Sequence, residues 1–347
     1  MSIIEQKSDA IISRAVQEKA SDVHIVPSHE ASLVQLRIGT HLLPLEKIRN
    51  SDAEKLISHF KFRSKMDIGE RRRPQNGSLT LIVRDKQINL RISTLPTFPH
   101  ESLAIRVLPQ NEVATLDELS LYKSQTAQLR TLMKKAHGLL LISGPTGSGK
   151  TTTIYSLLYD QCQKDRRIIT IEDPIEKKTD AFIQVEINEK AGLTYAEALK
   201  ATLRHDPDII MIGEIRDPET AKIAIRAAMT GHLVLSTIHS NDTKGCISRL
   251  REFGCAEVDI KESVIGLVSQ RLVGLSCPYC GNECTIHCLL KRKKRRLAVY
   301  EILAGSPLDA VLTYSNMKVN YPKLGQLINK GIALGFVREA EYERWLC

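Results

Sequence analysis

The stretch GLLLISGPTGSGKTTTIYSLLYDQCQK, residues 138–164, decides the fold class. An apolar run typical of a buried strand enters a glycine-rich loop, and that loop opens directly into a run with helical character. The loop, Gly144 to Thr151, matches G-x-x-x-x-G-K-[ST], and its place between a strand and a helix is the context that this pattern requires. The alternative is a glycine-rich turn that binds nothing. We expect a phosphate-binding loop on an α/β sheet.

The residue types of this loop suit a nucleoside triphosphate. Glycines let the backbone approach phosphate oxygens closely, and the loop N–H groups together with the helix N-terminus supply positive potential. Lys150 is expected to reach the β- and γ-phosphates, and Thr151 to offer its hydroxyl to Mg²⁺. The predicted nucleotide-binding residues are Gly144, Pro145, Thr146, Gly147, Ser148, Gly149, Lys150 and Thr151.

The chain beyond the loop continues the α/β pattern. Three further apolar strands, in 166–173, 208–214 and 232–238, alternate with helical stretches at 194–204 and 218–229. This alternation is typical of a mostly parallel sheet covered by helices on both faces.

The residues before the loop belong to a different unit. Residues 3–19 and 52–66 have helical spacing, SDVHIVP and SLVQLRIG alternate as strands, and SLTLIVRDKQINLRIST predicts a hairpin. We expect a small α+β domain over 1–110, a polar linker over 111–119 and the P-loop domain over 120–347.

Acidic residues follow two other strands at the edge where the loop is expected. Glu214 ends the run DIIMIGE, and IITIEDPIE brings Glu172, Asp173 and Glu176. A charge at the end of a buried strand is costly unless something binds it, and the carboxyl ends of parallel strands meet at one edge. We expect Mg²⁺ at Thr151 with Glu214 or Glu172 nearby. The alternative for Glu214 is a surface or helix-capping glutamate.

Composition limits the function classes. No apolar run approaches the roughly 18 residues that span a membrane, and the first ten residues lack a signal-peptide core. We expect a cytoplasmic protein with at most peripheral membrane contact. Eight cysteines in that compartment favour thiols or metal ligands over disulfides. The net charge of +9 permits contact with nucleic acid or anionic lipid without requiring it.

Four blocks carry a family resemblance: GPTGSGKTTT, IEDPIE, RHDPDIIMIGEIRDPETA and TGHLVLSTIHSNDT. They resemble the Walker A, Asp box, Walker B and His box of the secretion ATPases, which drive type II secretion, type IV pilus assembly and retraction, and competence pseudopili. ASDVHIVP, RRRPQNGS and LRISTLP match the same family, so the resemblance covers nearly the whole chain. It implies a RecA-like ATPase domain, a smaller PAS-like N-terminal domain and a homohexameric ring with ATP bound between the domains.

The resemblance also implies roles for single residues. Glu214 corresponds to the Walker B glutamate, and Glu176 is the other candidate for polarising water. Two histidines match the block that senses the γ-phosphate region, and two arginines fall where the family's N-terminal arginines reach the nucleotide. The alternatives are surface or packing histidines and salt bridges on the sheet face. The residues given a catalytic role are Lys150, Glu176, Glu214, Arg91, Arg106, His232 and His239.

The short N-terminal part and the wording HFKF…MDIGERRRPQNGSLTL are most similar to the competence ATPases of Gram-positive bacteria. The resemblance implies a motor that powers a competence pseudopilus for DNA uptake. It would act peripherally on the inner face of the membrane, through an integral membrane platform protein and only indirectly on pseudopilins. No direct sequence-specific contact with nucleic acid is expected. The rivals are a DNA-stimulated motor of helicase type and a nucleotide-binding scaffold without turnover; a small-molecule kinase is disfavoured, because no acceptor site is evident.

The segment CPYCGNECTIHC, 277–288, offers a candidate zinc site. The candidate ligands are Cys277, Cys280, Cys284 and Cys288. C-x₂-C is a good half-site, although the second pair here is C-x₃-C where the family has C-x₂-C. His287 replacing one thiolate and reduced, unliganded thiols are the alternatives. The basic run KRKKRR, 291–296, is expected to be a solvated face, with anionic lipid or nucleic acid as other partners.

Overall fold

The computed structural model divides the chain into two compact units, Met1–Glu112 and Val113–Cys347. The residues it describes are 2–39, 41–109, 114–162, 165–281, 288, 292, 294–314 and 319–346. Each unit has its own sheet. The domain boundaries predicted from the sequence stay a prediction, but Leu116–Leu119, inside the predicted linker, is a short helix of the second unit.

The N-terminal unit is a six-stranded antiparallel sheet in the order β3-β2-β1-β6-β5-β4. Its strands are β1 Asp22–Val26, β2 Ser32–Ile38, β3 His41–Ile48, β4 Gln75–Val83, β5 Lys86–Leu95 and β6 Ser102–Pro109. Its helices are α1 Ile3–Gln17 and α2 Asn50–Arg63. Along β2 buried residues alternate with partly exposed ones, so one face of this strand is core and the other is open within the unit.

Two local signals define the ends of these elements. Helix α1 begins in a capping box, in which Ser2 and Glu5 each bond the other's backbone N–H. The hairpin between β4 and β5 turns through Arg84 and Asp85, whose φ angles are 50° and 61°. Two successive positive φ values are the mark of a tight hairpin turn whose twist matches that of the strands. The hairpin predicted from the sequence is therefore confirmed.

The second unit is a seven-stranded sheet in the order β13-β12-β7-β11-β10-β8-β9. Its strands are β7 Gly138–Ser143, β8 Ile168–Glu172, β9 Ile183–Glu186, β10 Ile209–Ile212, β11 Leu233–Ile238, β12 Val264–Gly274 and β13 Arg296–Ala304. Its helices are α3 Leu116–Leu119, α4 Lys123–Leu132, α5 Lys150–Cys162, α6 Tyr195–Thr202, α7 Pro218–Met229, α8 Thr243–Glu252, α9 Glu257–Ser263, α10 Ser306–Thr313, α11 Leu324–Ala333 and α12 Ala340–Leu346.

The central strands of this sheet are buried on both faces. In β7, Leu139 and Leu141 enter one hydrophobic cluster, while Leu140 and Ile142 enter another on the opposite face. Every residue of β7, β8, β10 and β11 is buried. This explains why these strands are continuous apolar runs, because a strand covered on both sides has no solvent face for polar residues. The predicted helix-covered, mostly parallel sheet is confirmed; among its described strands, β13 alone pairs antiparallel.

The strand order places the loops. β11 lies between β7 and β10, and β8 follows β10, all parallel, so their carboxyl ends share one edge of the sheet. The glycine-rich loop leaves β7 at that edge, and Glu214, His239 and residues 172–176 follow the other three strands. Among the described residues, no helix is both long and apolar enough to cross a membrane.

Candidate nucleotide-hydrolysis site

The glycine-rich loop has a backbone that other residues could not adopt cheaply. Gly144 has φ +147°, and a Cβ there would lie 2.5 Å from the Gln270 carbonyl oxygen. Gly147 has φ +78° with open space around it, so its requirement is conformational and not steric. The turn brings loop amides to the N-terminus of α5, where they can cradle an anion.

Lys150 is folded back over this loop. Its Nζ donates to the Gly144 carbonyl at 2.6 Å and to the Pro145 carbonyl at 3.3 Å. Burial lowers the pKa of Lys150, Arg271 acts in the same direction, and the carboxylates of Glu214 and Glu176 oppose the shift. The Lys150 ammonium now bonds two loop carbonyls. When a phosphate enters the loop, its oxygens could accept the same hydrogen bonds in place of the carbonyls.

Other loop atoms also fit a bound nucleotide. Thr151 lies in the first turn of α5 and is only partly buried, so its hydroxyl can serve as a metal ligand. Ser148 Oγ is buried with no hydrogen bond to any described residue. Oxygen donors on a helix N-terminus, with a lysine beside them, suit Mg²⁺ and a polyphosphate.

Glu214 is held by two cationic or hydrogen-bonding partners. Its carboxylate accepts from Arg216 Nε at 2.7 Å and lies 2.9 Å from His239 Nε2. Its side chain is 14% exposed, whereas His239 is 58% exposed. The carboxylate is thus oriented by two partners and still reachable from the open side of the site. The side chain is less exposed than a surface glutamate, and its catalytic role stays a prediction.

Glu172 differs from Glu214 in every one of these respects. Its two oxygens each accept from the Tyr155 hydroxyl at 2.8 Å, and one also accepts from Thr170 Oγ1 at 2.8 Å. Gln184 Nε2 donates to it at 3.3 Å. Burial raises the pKa of Glu172, against these hydrogen bonds. The Glu176 backbone N–H is a further donor, at 3.5 Å. All of these donors are neutral, and the side chain is 3% exposed, so the geometry favours an internal hydrogen-bond centre over a metal neighbour.

The other acids of this segment face solvent. Asp173 and Glu176 are exposed, and Asp173 Oδ2 lies 3.9 Å from Arg216 Nη1. Glu176 is close enough to Lys150 to affect its pKa. The exposed Glu176 and the partly buried Glu214 thus both lie near enough to Lys150 to act on its charge.

His232 lies away from this site. It precedes β11, its Nδ1 is 3.0 Å from the Ala227 carbonyl, and its own carbonyl accepts from Gly138 N at the start of β7. His239 follows the other end of β11, roughly 20 Å away for six strand residues. Within this subunit the expectation that His232 senses the γ-phosphate region is therefore wrong, because the strand separates it from the phosphate loop. The packing alternative describes it.

Arg91 and Arg106 are paired across β5 and β6 of the N-terminal unit. Arg106 Nε bonds Asp22 Oδ1 at 3.1 Å, which is the sheet-face salt bridge weighed as the alternative. Arg91 Nη2 is buried with no hydrogen bond to a described residue. The two arginines thus share one face of the sheet but differ in their partners.

Three further side chains belong to the site and have no motif of their own. The Tyr155 hydroxyl bonds Glu172, the Tyr195 hydroxyl is 3.0 Å from where a Cβ of Gly213 would lie, and Gln270 Nε2 donates to the Ser148 carbonyl at 2.6 Å. Burial, with the nearby Asp173 carboxylate adding to it, raises the pKa of Tyr195 to about 12. A signal existed for Gln270 alone, as a polar residue inside the apolar strand VIGLVSQRLVG.

The cysteine segment brings three thiols together. The sulfurs of Cys277, Cys280 and Cys288 all lie within 4.8 Å of one another, and Cys277 Sγ is 3.2 Å from Cys288 Sγ. Cys284 and His287 lie outside the described residues. No disulfide joins any of the described cysteines. Three soft ligands at this spacing suit zinc.

The basic run is only partly solvated. Arg292 donates to the carbonyl oxygens of Leu275 and Ser276 at 3.3 and 3.1 Å, so it braces the cysteine segment. Lys294 is exposed. Lys291 and Lys293 lie outside the described part of the chain. The expectation of a solvated face therefore holds for Lys294 and is wrong for Arg292.

Comparisons with known proteins agree with this geometry. The family model described as "Type II/IV secretion system protein" matches residues 1–336. Competence protein ComGA of Bacillus subtilis is 49% identical, covering 100% of this chain and 99% of that protein. Competence protein ComGA of Halalkalibacterium halodurans is 45% identical, covering 98% of each.

A solved structure extends the comparison to the fold. The pilus retraction motor PilT, crystallised with bound ADP, superposes with a TM-score of 0.70 at 27% identity, covering 99% of this chain and 96% of that one. The RecA-like fold with a separate N-terminal sheet is thus shared. The phosphate loop, the strand order and the full-length matches lead to one conclusion: this chain belongs to the type II/IV secretion system protein family.

Proposed function

We propose that this chain is an ATP-hydrolysing motor that powers assembly of a competence pseudopilus, a type IV pilus-like fibre required for DNA uptake in transformation. The observation that carries the proposal is the end-to-end similarity to two competence proteins, 49% and 45% identical. The phosphate loop with Lys150, Glu214 and His239 supplies the chemistry that such a motor needs.

In this proposal the loop from Gly144 to Thr151 binds the triphosphate. Lys150 exchanges the Gly144 and Pro145 carbonyls for β- and γ-phosphate oxygens, which are stronger acceptors because they are charged. Mg²⁺, held by the Thr151 hydroxyl with Glu214 nearby, would neutralise charge that develops on the phosphates.

Glu214 accepts the proton of the attacking water or orients that water. Its support is the pair of contacts to Arg216 and His239, which fix the carboxylate without burying it fully. Glu176 is the rival base, since it is exposed and near Lys150. His239, between Glu214 and solvent, would hold the carboxylate in place and sense the γ-phosphate. The reach of Arg91 and Arg106 to the nucleotide stays a prediction of the resemblance.

The setting of the motor follows from the family. It would form a homohexamer, lie on the cytoplasmic face of the membrane and act on pseudopilins through an integral membrane platform protein. ATP binding, hydrolysis and product release would drive the conformational cycle of the motor.

A complementation experiment tests the proposal. The chain is expressed in Bacillus subtilis that lacks its own ComGA, and transformation frequency is measured beside growth rate. We expect the wild-type chain to restore transformation and Lys150→Ala to leave it absent, with normal growth in both. If the Lys150→Ala protein is expressed at the wild-type level and still restores full transformation, transformation does not require ATP hydrolysis by this chain.

The helicase-type alternative has its own measurement. The steady-state ATPase rate is followed with and without single-stranded DNA at several salt concentrations. A pseudopilus motor should show the same rate in both. A large stimulation by DNA that falls steeply with salt would favour the nucleic-acid motor.

Zinc at the cysteine segment is a separate proposal. Cys277, Cys280 and Cys288 would supply three thiolates, and the donor set suits a structural zinc that fixes this segment. Metal content of the purified chain should be about one zinc per chain. Cys280→Ser should lose it, whereas Cys162→Ser, on α5 and outside this cluster, should retain it. Equal zinc in both variants would contradict the assignment.

A further inference from the structure

Arg271 is the charged residue of β12, a strand that is otherwise apolar except for Ser269 and Gln270. It is 9% exposed. Its guanidinium donates to Ser269 Oγ at 3.3 Å, to the Gln270 carbonyl at 3.0 Å and to the Asn241 carbonyl at 2.7 Å. Each of these acceptors is neutral, and a guanidinium has five N–H donors. Burial lowers the pKa of Arg271, which Glu301 and Asp242 oppose from a greater distance. Such a buried cation is costly to keep.

The same guanidinium lies directly behind the phosphate loop. Arg271 Nη1 is 3.5 Å from the position that a Cβ of Gly144 would take. It is also near enough to Lys150 to lower the pKa of that ammonium. The neighbouring Gln270 fixes the loop from the same strand through its bond to Ser148. A negative polyphosphate in the loop would therefore act on Arg271 through a short distance in a buried setting, where charge interactions are strong.

Arg271 also holds the loop that carries His239. Its shortest hydrogen bond goes to the carbonyl of Asn241, two residues after His239, and Ser269 Oγ donates to that carbonyl too. His239 in turn lies 2.9 Å from Glu214. One guanidinium thus lies beside the phosphate loop and bonds the segment that carries His239.

A third contact joins Arg271 to the C-terminal helix α12. The Arg271 guanidinium carbon lies 5.4 Å from the centre of the Trp345 ring, a distance typical of a cation–π contact. Trp345 Nε1 donates to Glu341 at 2.9 Å, and Glu341 is buried against Gly274 at the end of β12. The helix is thereby fixed beside Arg271. Trp345 is the single tryptophan of the chain.

We propose that Arg271 is a positioning residue that couples occupancy of the phosphate loop to the His239 segment and to the C-terminal helix. This inference rests on the proposed nucleotide site. A charged phosphate group in the loop draws the guanidinium, which changes its bond to Asn241 and its place over Trp345. The coupling sets His239 and Glu214 for hydrolysis and alters the environment of the only indole.

The test combines tryptophan emission with kinetics on the full-length chain in the presence of Mg²⁺. MgADP and a non-hydrolysable MgATP analogue are titrated, and binding is measured independently by calorimetry. In the wild-type chain we expect a saturable change in emission with the same midpoint as calorimetric binding. In Arg271→Gln we expect nucleotide binding to persist, the emission change to vanish, and kcat to fall about tenfold while KM changes by less than about threefold.

Arg344 provides a matched control. Its guanidinium carbon lies 4.7 Å from the same ring but its ion pair is with Glu341, on the helix itself. Arg344→Gln should keep the nucleotide-dependent change in emission and a kcat within about twofold of wild type. If Arg271→Gln fails to fold, Arg271→Lys keeps the charge but loses the planar fork, and the same loss of the emission change is expected.

The outcomes separate this inference from the proposed function. A wild-type chain that binds no nucleotide overturns both. A wild-type chain that binds and hydrolyses ATP without any change in Trp345 emission overturns the coupling alone. So does an Arg271 variant whose emission change and kcat match those of wild type.

Discussion

The ends of β10 and β8 make a natural comparison, because neighbouring parallel strands deliver a glutamate to the same edge of the same sheet. Glu214, after β10, is held by Arg216 and His239 and is partly open to solvent. Glu172, the last residue of β8, is enclosed by Tyr155, Thr170 and Gln184. Nearly identical positions thus hold one carboxylate with polar, charged partners and another with neutral partners only.

The difference is one of environment and not of strand position. A carboxylate held by an arginine and a histidine, and still reachable from solvent, can act on a proton or a metal. A carboxylate buried among hydroxyl and amide donors already accepts hydrogen bonds from the protein itself. Its role is to hold those donor groups in place. We infer that Glu214 serves the reaction and Glu172 fixes α5 and the segment after β8.

The largest effect should come from Glu214→Gln. The substitution keeps the shape and removes the charge and the proton acceptor, so kcat should fall about 100-fold or more while nucleotide still binds. Steady-state ATPase assays and calorimetric nucleotide binding measure the two quantities. Glu176→Gln is the matched variant at the other candidate base and should lower kcat much less. If Glu176→Gln has the larger effect, the roles of the two strand ends must be exchanged.

Removing the Tyr155 hydroxyl tests the structural role of Glu172. Tyr155→Phe keeps the ring contact with Phe182 and leaves the buried carboxylate without its principal donor, so unfolding free energy should fall by about 1–3 kcal/mol. Denaturant unfolding monitored by circular dichroism measures it. Tyr159→Phe is the control, since Tyr159 also packs on Phe182 but donates to the half-buried Thr179. If both variants lose the same unfolding free energy, the hydrogen bonds to Glu172 contribute no more to stability than an ordinary hydrogen bond.

His232 and His239 lie at opposite ends of β11, so substituting each one tests a different edge of the sheet. His239→Ala should lower kcat about tenfold, because Glu214 loses a positioning partner. His232→Ala, at the opposite end of β11, should leave kcat within about twofold. Steady-state ATPase assays on the two variants decide it. A comparable loss of kcat in His232→Ala would show that His232 does contribute to catalysis.

The smallest effect concerns pH. Burial raises the folded-state pKa of Glu172 above its ordinary value of 4.5, so the folded state keeps a proton that the unfolded state has released. Stability is therefore unaffected below 4.5, and it decreases as pH rises from 4.5 through the raised pKa. Thermal unfolding is measured for the wild type and Glu172→Gln across that pH range. The unfolding temperature of the wild type should decrease relative to that of the variant as pH rises. Two curves that stay parallel would mean that Glu172 ionises as freely in the fold as outside it.

The elements of the site that carry motifs were predictable from the sequence. The phosphate loop, the acids after 171 and 212, and His239 each follow an apolar strand, and the meeting of strand ends at one edge is a general property of parallel sheets. The sheet with helices on both faces followed from the same alternation. These predictions needed only local pattern.

The rest depended on tertiary placement. Tyr155 of α5 meets Glu172 of β8 through tertiary packing, and no spacing in the sequence marks this contact. His232 and His239 are seven positions apart in one motif, yet a strand between them puts them at opposite edges. Arg271 carried the signal used for Glu214, a charge in an apolar strand, but its partners come from residues 241 and 345 and from Gly144.

The pairing of β7 has a consequence for the order in which the protein is made. Its neighbours are β11, at 233–238, and β12, at 264–274, both far downstream in the chain. The phosphate loop leaves the ribosome before β11 and β12. Strand β7 is therefore not paired on both sides until β12 has also emerged. All six strands of the N-terminal sheet, by contrast, lie within residues 22–109. During synthesis the N-terminal sheet can assemble first, and the nucleotide site is among the last parts of the fold to form.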